Sequence, residues 1–156
     1  PGVGKSSVGV LLAKLLGLGY LDTDLTIQLR EGASLQDILD RRGYRYLREV
    51  EESVLLEADL RQSVVSTGGS AVYSAAAMER LCEAGPIVYL RADLQTLEQR
   101  VLAAPPRGIA SSPDQTFAQI YAERTLLYRQ YAQHSVDTSA GSAQEVAVAV
   151  MEALLA

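Results

Sequence analysis

Gly4-Lys5-Ser6, with Gly2 before and Ser7 after, sets a cation and a hydroxyl behind glycines at the head of an apolar-periodic segment. The spacing closes the pattern G-x-x-x-x-G-K-[ST]. In such a loop the glycine backbone turns successive N–H groups onto phosphate oxygens. The lysine reaches the outer phosphates, and the Ser hydroxyl ligates Mg²⁺. A helix that follows directly adds its positive N-terminal dipole to the same anion. Gly2, Gly4, Lys5, Ser6 and Ser7 are therefore the candidate nucleotide-binding residues. A Gly-rich turn leading into an ordinary helix has the same local composition.

A second constellation is Asp22-Thr23-Asp24. Two carboxylates two positions apart at the C-terminal end of a strand project to one side, toward the crevice where ligands bind in open α/β sheets. Asp22 suits an Mg²⁺ site, and Asp24 suits a hydrogen bond from a substrate hydroxyl, as base or orienter of the attacking oxygen. The same residues would also make a helix cap.

The elements that must position these groups alternate in type. Val8, Leu11, Leu12, Leu15 and Leu16 predict a helix over 5–16, stopped by Gly17 and Gly19. Strands are expected at 20–23, 63–67, 87–90 and 135–137, and further helices at 25–30, 35–42, 45–60, 75–84, 94–103, 117–132 and 143–155. Strands interleaved with helices imply a parallel sheet covered on both faces. The stretch 105–113, with Arg107 and Gly108, has no periodicity and reads as an exposed, mobile loop. No strand precedes Pro1 to feed the loop, so the reading expects the first strand of the domain to be missing.

The chain has 156 residues, 48% hydrophobic, which suits one domain over 1–156. A net charge of -5 argues against nucleic acid or an anionic membrane as partner. The single cysteine, Cys82, excludes an intrachain disulfide, fits a cytoplasmic setting and is expected to be a small buried hydrophobe. No apolar run is long enough to span a membrane.

Taken in order, Gly4-Lys5-Ser6, Asp22-Thr23-Asp24, Gly43 with Leu47-Arg48 and Glu51, Thr67-Gly68-Gly69, Arg107 and Arg124-Thr125-Leu126-Leu127-Tyr128 resemble the shikimate kinase family. The third of these is similar to G-E-x-x-F-R-x-x-E and the last to R-x-P-L-Y. The resemblance implies an α/β P-loop kinase fold in three layers, with a parallel sheet of order 2-3-1-4-5, and a lid over about 105–114. It implies phosphoryl transfer from ATP, with Mg²⁺, to a hydroxyl of a small carboxylated metabolite, shikimate first. Arg48 and Arg124 would clamp the acceptor's carboxylate, a task that suits a planar guanidinium fork. Gly68 and Gly69 would let backbone approach the ring. Arg107 would close over the phosphates, joining Lys5 and Asp24 as the catalytic set, and Arg100 would flank the adenine. A monomer is expected.

Three positions depart from the family pattern. Ser70 stands at a usual glycine, Gly108 at a usual proline and Tyr44 at a usual glutamate. Ser70 is expected to narrow or re-aim the pocket, Gly108 to loosen the lid hinge, and Tyr44 to be a surface change. Two other readings stay open: a related sugar-acid or other metabolite kinase, and a non-catalytic nucleotide-binding module. His134, outside every motif, is expected at the surface.

Overall fold

The structure is a computed structural model that describes residues 3–105 and 108–156. Its elements run α1 (Lys5–Leu16), β1 (Gly19–Asp22), α2 (Thr23–Glu31), α3 (Leu35–Arg42), α4 (Tyr44–Glu57), β2 (Ser63–Ser66), α5 (Ala75–Ala84), β3 (Val88–Arg91), α6 (Leu94–Leu102), α7 (Phe117–Tyr131), β4 (His134–Asp137) and α8 (Ala143–Leu155). A 3₁₀ turn, Ala71–Tyr73, precedes α5. Every helix and strand read from the sequence is present, with ends displaced by a few residues at most. Helix ends follow the local chemistry. Ser34, Ser74, Asp93, Thr116 and Ser142 each cap a helix with a side-chain oxygen, and Thr116 and Ser142 complete capping boxes with Gln119 and Glu145.

The strands form two parallel pairs. β1 lies on β2, with Asp22 opposite Ser66, and β3 lies on β4, with Arg91 opposite Asp137. Because strand side chains alternate, the β1–β2 pair feeds two cores. On one face Val64, Val88, Leu90 and Val136 pack against Val8 and Leu12 of α1 and Val146, Ala147 and Val150 of α8. On the other, Leu21 and Val65 join Leu55, Ala77, Met78 and Leu81 from α4 and α5. A third core, Ile27, Ile38, Leu47, Val50 and Val54, holds α2, α3 and α4 together beside the sheet.

Between β2 and β3 runs a cleft of about 430 Å³, lined by Val64, Val65, Val88, Tyr89 and Leu90 from the strands and by Leu12, Ile120 and Val150 from the helices. It coincides with the central position of a 2-3-1-4-5 sheet, in which β1 and β2 take places 2 and 3 and β3 and β4 take places 4 and 5. Among the described residues no strand lies between β2 and β3, so each keeps one unpaired edge toward this cleft.

Three expectations are corrected. Cys82 is exposed, because it lies at the edge of the α5 face that buries Ala77, Met78 and Leu81. His134 opens β4 and is half-buried there. The stretch read as an exposed loop is buried at Gly108, Ala110 and Ser111, since Ala110 joins the core of α2, α3 and α4.

Candidate active site

α1 leaves its loop from Gly4, which supplies no side-chain acceptor to the first amides of the helix. Those N–H groups face the start of the chain with a helix dipole behind them. α1 is tied to the sheet by the Ser66 hydroxyl, which donates to the Lys5 carbonyl at 3.0 Å. The next strand end brings its carboxylate to the same place. The Ser6 hydroxyl donates to Asp22 Oδ2 at 2.8 Å, while Asp22 Oδ1 accepts from the amides of Asp24 at 3.0 Å and Leu25 at 3.4 Å. The helix-cap reading of Asp22 holds. One oxygen caps α2 and the other stands beside the hydroxyl. Two hard oxygen donors at this separation fit Mg²⁺, which completes its shell with water and phosphate instead of a protein cage.

Gly4, Lys5, Ser6, Ser7, Asp24, Gly68, Gly69 and Arg124 line one cavity of about 330 Å³, with Glu51, Ser70, Ile109 and Ala110. The larger cleft between the strand pairs is apolar, and most of these polar groups lie outside it. At the floor, backbone and carboxylates meet closely. A Cβ added at Gly68 would lie 1.9 Å from Glu51 Oε2 and 2.9 Å from Asp24 Oδ1, so only glycine fits there. The Gly69 carbonyl accepts from Tyr128 Oη at 2.6 Å, and burial pushes the Tyr128 phenol up to about 12.

Arg48 and Arg124 come from α4 and α7 and converge. Arg48 Nε donates to the carbonyl of Ala110 at 2.9 Å, and an Arg124 terminal nitrogen donates to the same oxygen at 3.1 Å. Both guanidinium groups lie over the Tyr73 ring, at 3.8 Å for Arg48 and 5.5 Å for Arg124, and Arg48 is also 5.0 Å from the Tyr44 ring. Tyr44 is therefore a stacking partner of Arg48, against the expectation of a surface change. Arg124 is 2% exposed, and its Nε has no acceptor among the described residues. A buried guanidinium donor without a partner is costly, and an arriving anion would relieve it.

The segment 108–111 is packed onto α3. Gly108 has φ +66°, and a Cβ there would meet the Leu35 carbonyl carbon at 2.5 Å and Gln36 N at 2.7 Å. Its N–H donates to Gln36 Oε1 at 3.0 Å. A proline, fixed near φ −65° and lacking the donor, could do neither. Gly108 is thus a close-packed anchor, and not the looser hinge expected from its sequence. Arg100 stands apart from the cavity, donating to the Thr138 carbonyl at 2.8 Å. Gly2 and Arg107 lie outside the described residues.

Glu51 entered the sequence reading only as part of the motif around Arg48, with no role of its own. It is 4% exposed and accepts from the Ser70 hydroxyl at 2.5 Å. Burial raises its carboxyl from the ordinary range to about 7, against the opposing pull of the Ser70 hydrogen bond. The signal was present in α4, whose buried face runs Leu47, Val50, Glu51, Val54, Leu55 and so carries one acid at a core position. The Ser70 hydroxyl is committed to that acid, where the sequence reading had it reshaping the pocket.

A family model described as Shikimate kinase matches residues 1–155. A shikimate kinase of Halorhodospira halophila is 38% identical over 156 residues, covering 98% of this chain and 88% of the relative. One of Mycobacterium avium is 37% identical over 142 residues, covering 89% of this chain and 80% of the relative. Among solved structures, the shikimate kinase of Acinetobacter baumannii in complex with shikimate superposes with a TM-score of 0.85 at 31% identity, over 99% of this chain and 88% of that one. The enzyme of Aquifex aeolicus gives 0.82 at 27% identity, over 98% and 90%.

Proposed function

Because this chain belongs to the shikimate kinase family, we propose that it transfers the γ-phosphoryl group of ATP to a hydroxyl of shikimate, yielding shikimate 3-phosphate. The observation that carries this reading is the convergence of Arg48 and Arg124 on one point, with a buried Arg124 donor left over, across a cavity from the phosphate-type loop. A pure nucleotide sensor has no use for two such groups. An acceptor bearing a carboxylate has.

Each residue then has a task. The amides at the head of α1, with Gly2, Gly4 and Ser7, cradle the phosphates, and Lys5 follows the charge on the transferring group. Asp24 accepts the hydrogen bond of the acceptor hydroxyl, orients its oxygen toward the phosphorus and takes its proton. Arg48 and Arg124 fix the acceptor's carboxylate, while Gly68 and Gly69 let the ring sit against backbone. Ser6 and Asp22 would hold Mg²⁺, which when bound neutralises charge on the phosphates. Arg107 closes over the phosphates from the lid at about 105–114, and Arg100 flanks the adenine. No covalent enzyme intermediate is needed, since positioning and electrostatics supply the acceleration. The protein acts as a cytoplasmic monomer.

A panel of hydroxy acids supplied with ATP, read by ADP release, tests this. Shikimate should give the highest kcat/KM by at least tenfold. Faster turnover of a sugar acid would favour the related-kinase reading, and no acceptor-dependent ADP at all would leave only a nucleotide-binding module.

A further inference from the structure

At the cavity floor one oxygen of Glu51, Oε1, accepts from Ser70, and the other, Oε2, faces the Cα of Gly68. Asp24 Oδ1 faces the same point from α2. The two carboxyl groups therefore meet across a single glycine, and the rotation of one of them is fixed by a hydroxyl. Ser70 is itself only 6% exposed. It begins the turn Ala71–Tyr73, which carries the ring under both arginines.

We propose that Ser70 is a positioning residue of this site, acting through Glu51: its hydroxyl fixes that buried carboxyl in one rotamer against Gly68, and so sets the field at Asp24. The inference rests on the kinase reading for its consequence in catalysis but not for its structural content. Without the hydroxyl, Glu51 keeps its burial but loses the donor that favours the charged state. The groups facing it are Lys5 on α1, Asp24 on α2, and Arg124 and Tyr128 on α7. Lys5 and Arg124 favour its ionisation and Asp24 opposes it, so the serine tips a balanced group. Glu51 also presses against Gly68, so a change in its protonation reaches backbone in the acceptor pocket.

The direct test is the titration of the Glu51 carboxyl in protein labelled with ¹³C at glutamate side chains, assigned by the resonance missing in Glu51→Gln. The wild-type midpoint should lie near 7. Ser70→Ala should move it upward by about one pH unit, since a lost hydrogen bond to a charged group in a buried setting is of that size. Ser70→Gly, the residue usual in the family, should do the same and guards against a folding defect in the alanine variant. In turnover, the acid limb of kcat/KM for shikimate should move with the midpoint while the KM for ATP stays within twofold. An unchanged carboxyl midpoint in both variants overturns the proposal and leaves the kinase reading intact. A shifted midpoint in a protein that releases no ADP with any acceptor sinks the kinase reading and upholds the Ser70 to Glu51 coupling.

Discussion

Arg48 and Arg124, from helices far apart in the chain, donate to one and the same carbonyl oxygen, that of Ala110. Two permanent cations thus share a neutral acceptor, and one of them, Arg124, keeps a buried Nε with no acceptor among the described residues. A carboxylate offers two oxygens and a charge to the same pair, so its binding gains a charge-assisted contact where the carbonyl gives a weak one. The shared acceptor also lies in the segment that follows Gly108, so the clamp and the proposed lid are in direct contact.

Arg48→Lys and Arg124→Lys keep the charge and lose the fork. Each should raise KM for shikimate at least tenfold and leave KM for ATP within twofold, because each removes binding at the acceptor alone. Steady-state kinetics with each substrate varied in turn distinguishes the two constants. A rise confined to ATP would contradict the clamp.

Lys5→Ala removes the cation proposed to accompany the phosphoryl group. Loss of such a contact from a dry site costs on the order of 3 kcal/mol, so kcat should fall more than a hundredfold. Turnover within tenfold of the parent would refute the phosphate-loop assignment.

Gly108→Ala places a methyl group against the Leu35 carbonyl carbon in a conformation that L side chains avoid. The segment 108–111 should leave its seat on α3, and its amides should exchange with deuterium at least tenfold faster. KM for shikimate should rise with it, since Ala110 touches both arginines. Unchanged exchange would mean that this packing does not hold the segment.

Glu51 makes stability depend on pH. Its folded carboxyl titrates near 7, above its unfolded value of about 4.5, so the folded state holds the proton more tightly. The resulting contribution is complete below pH 4.5 and is lost as pH rises through 7, by on the order of 3 kcal/mol. Melting temperatures of the parent should fall across that window relative to those of Glu51→Gln. Parallel curves for the two proteins would contradict a protonated, buried Glu51.

The facing edges of β2 and β3 predict a stability gain of another kind. Among the described residues neither edge has a strand partner beside the apolar cleft, and each unsatisfied buried backbone group costs roughly 1–3 kcal/mol. An apolar strand of about five residues fused ahead of Pro1 should enter that cleft, pair with both edges and raise the melting temperature by ten degrees or more. An unchanged melting temperature would mean that the added strand does not enter the cleft.

Most of this architecture was legible because its signals are local. The periodicity of Val8, Leu12 and Leu16, the serine caps and the glycine stops each act within one turn of helix, and the element order followed. That Gly4, Lys5, Ser6 and Asp24 would face one cavity, with Asp22 bonded to Ser6, was legible as well, since a loop and a strand end set their groups in consecutive residues. What escaped was set by contacts between distant segments. Nothing near Glu51 tells that Ser70 will bond to it, and nothing near Ala110 tells that its carbonyl will face two arginines. Gly108 was read through its flexibility, while its role comes from the backbone of α3 packed against it.

The central claim, that the arginine pair selects an acceptor by its carboxylate for phosphorylation by ATP, is tested most directly by blocking that carboxylate. ADP release should be measured with shikimate and with its methyl ester at matched concentrations, in the parent protein. The account predicts that esterification lowers kcat/KM at least a hundredfold, through loss of charge at Arg48 and Arg124, with the rate in ATP alone unchanged. Equal turnover of acid and ester would contradict it.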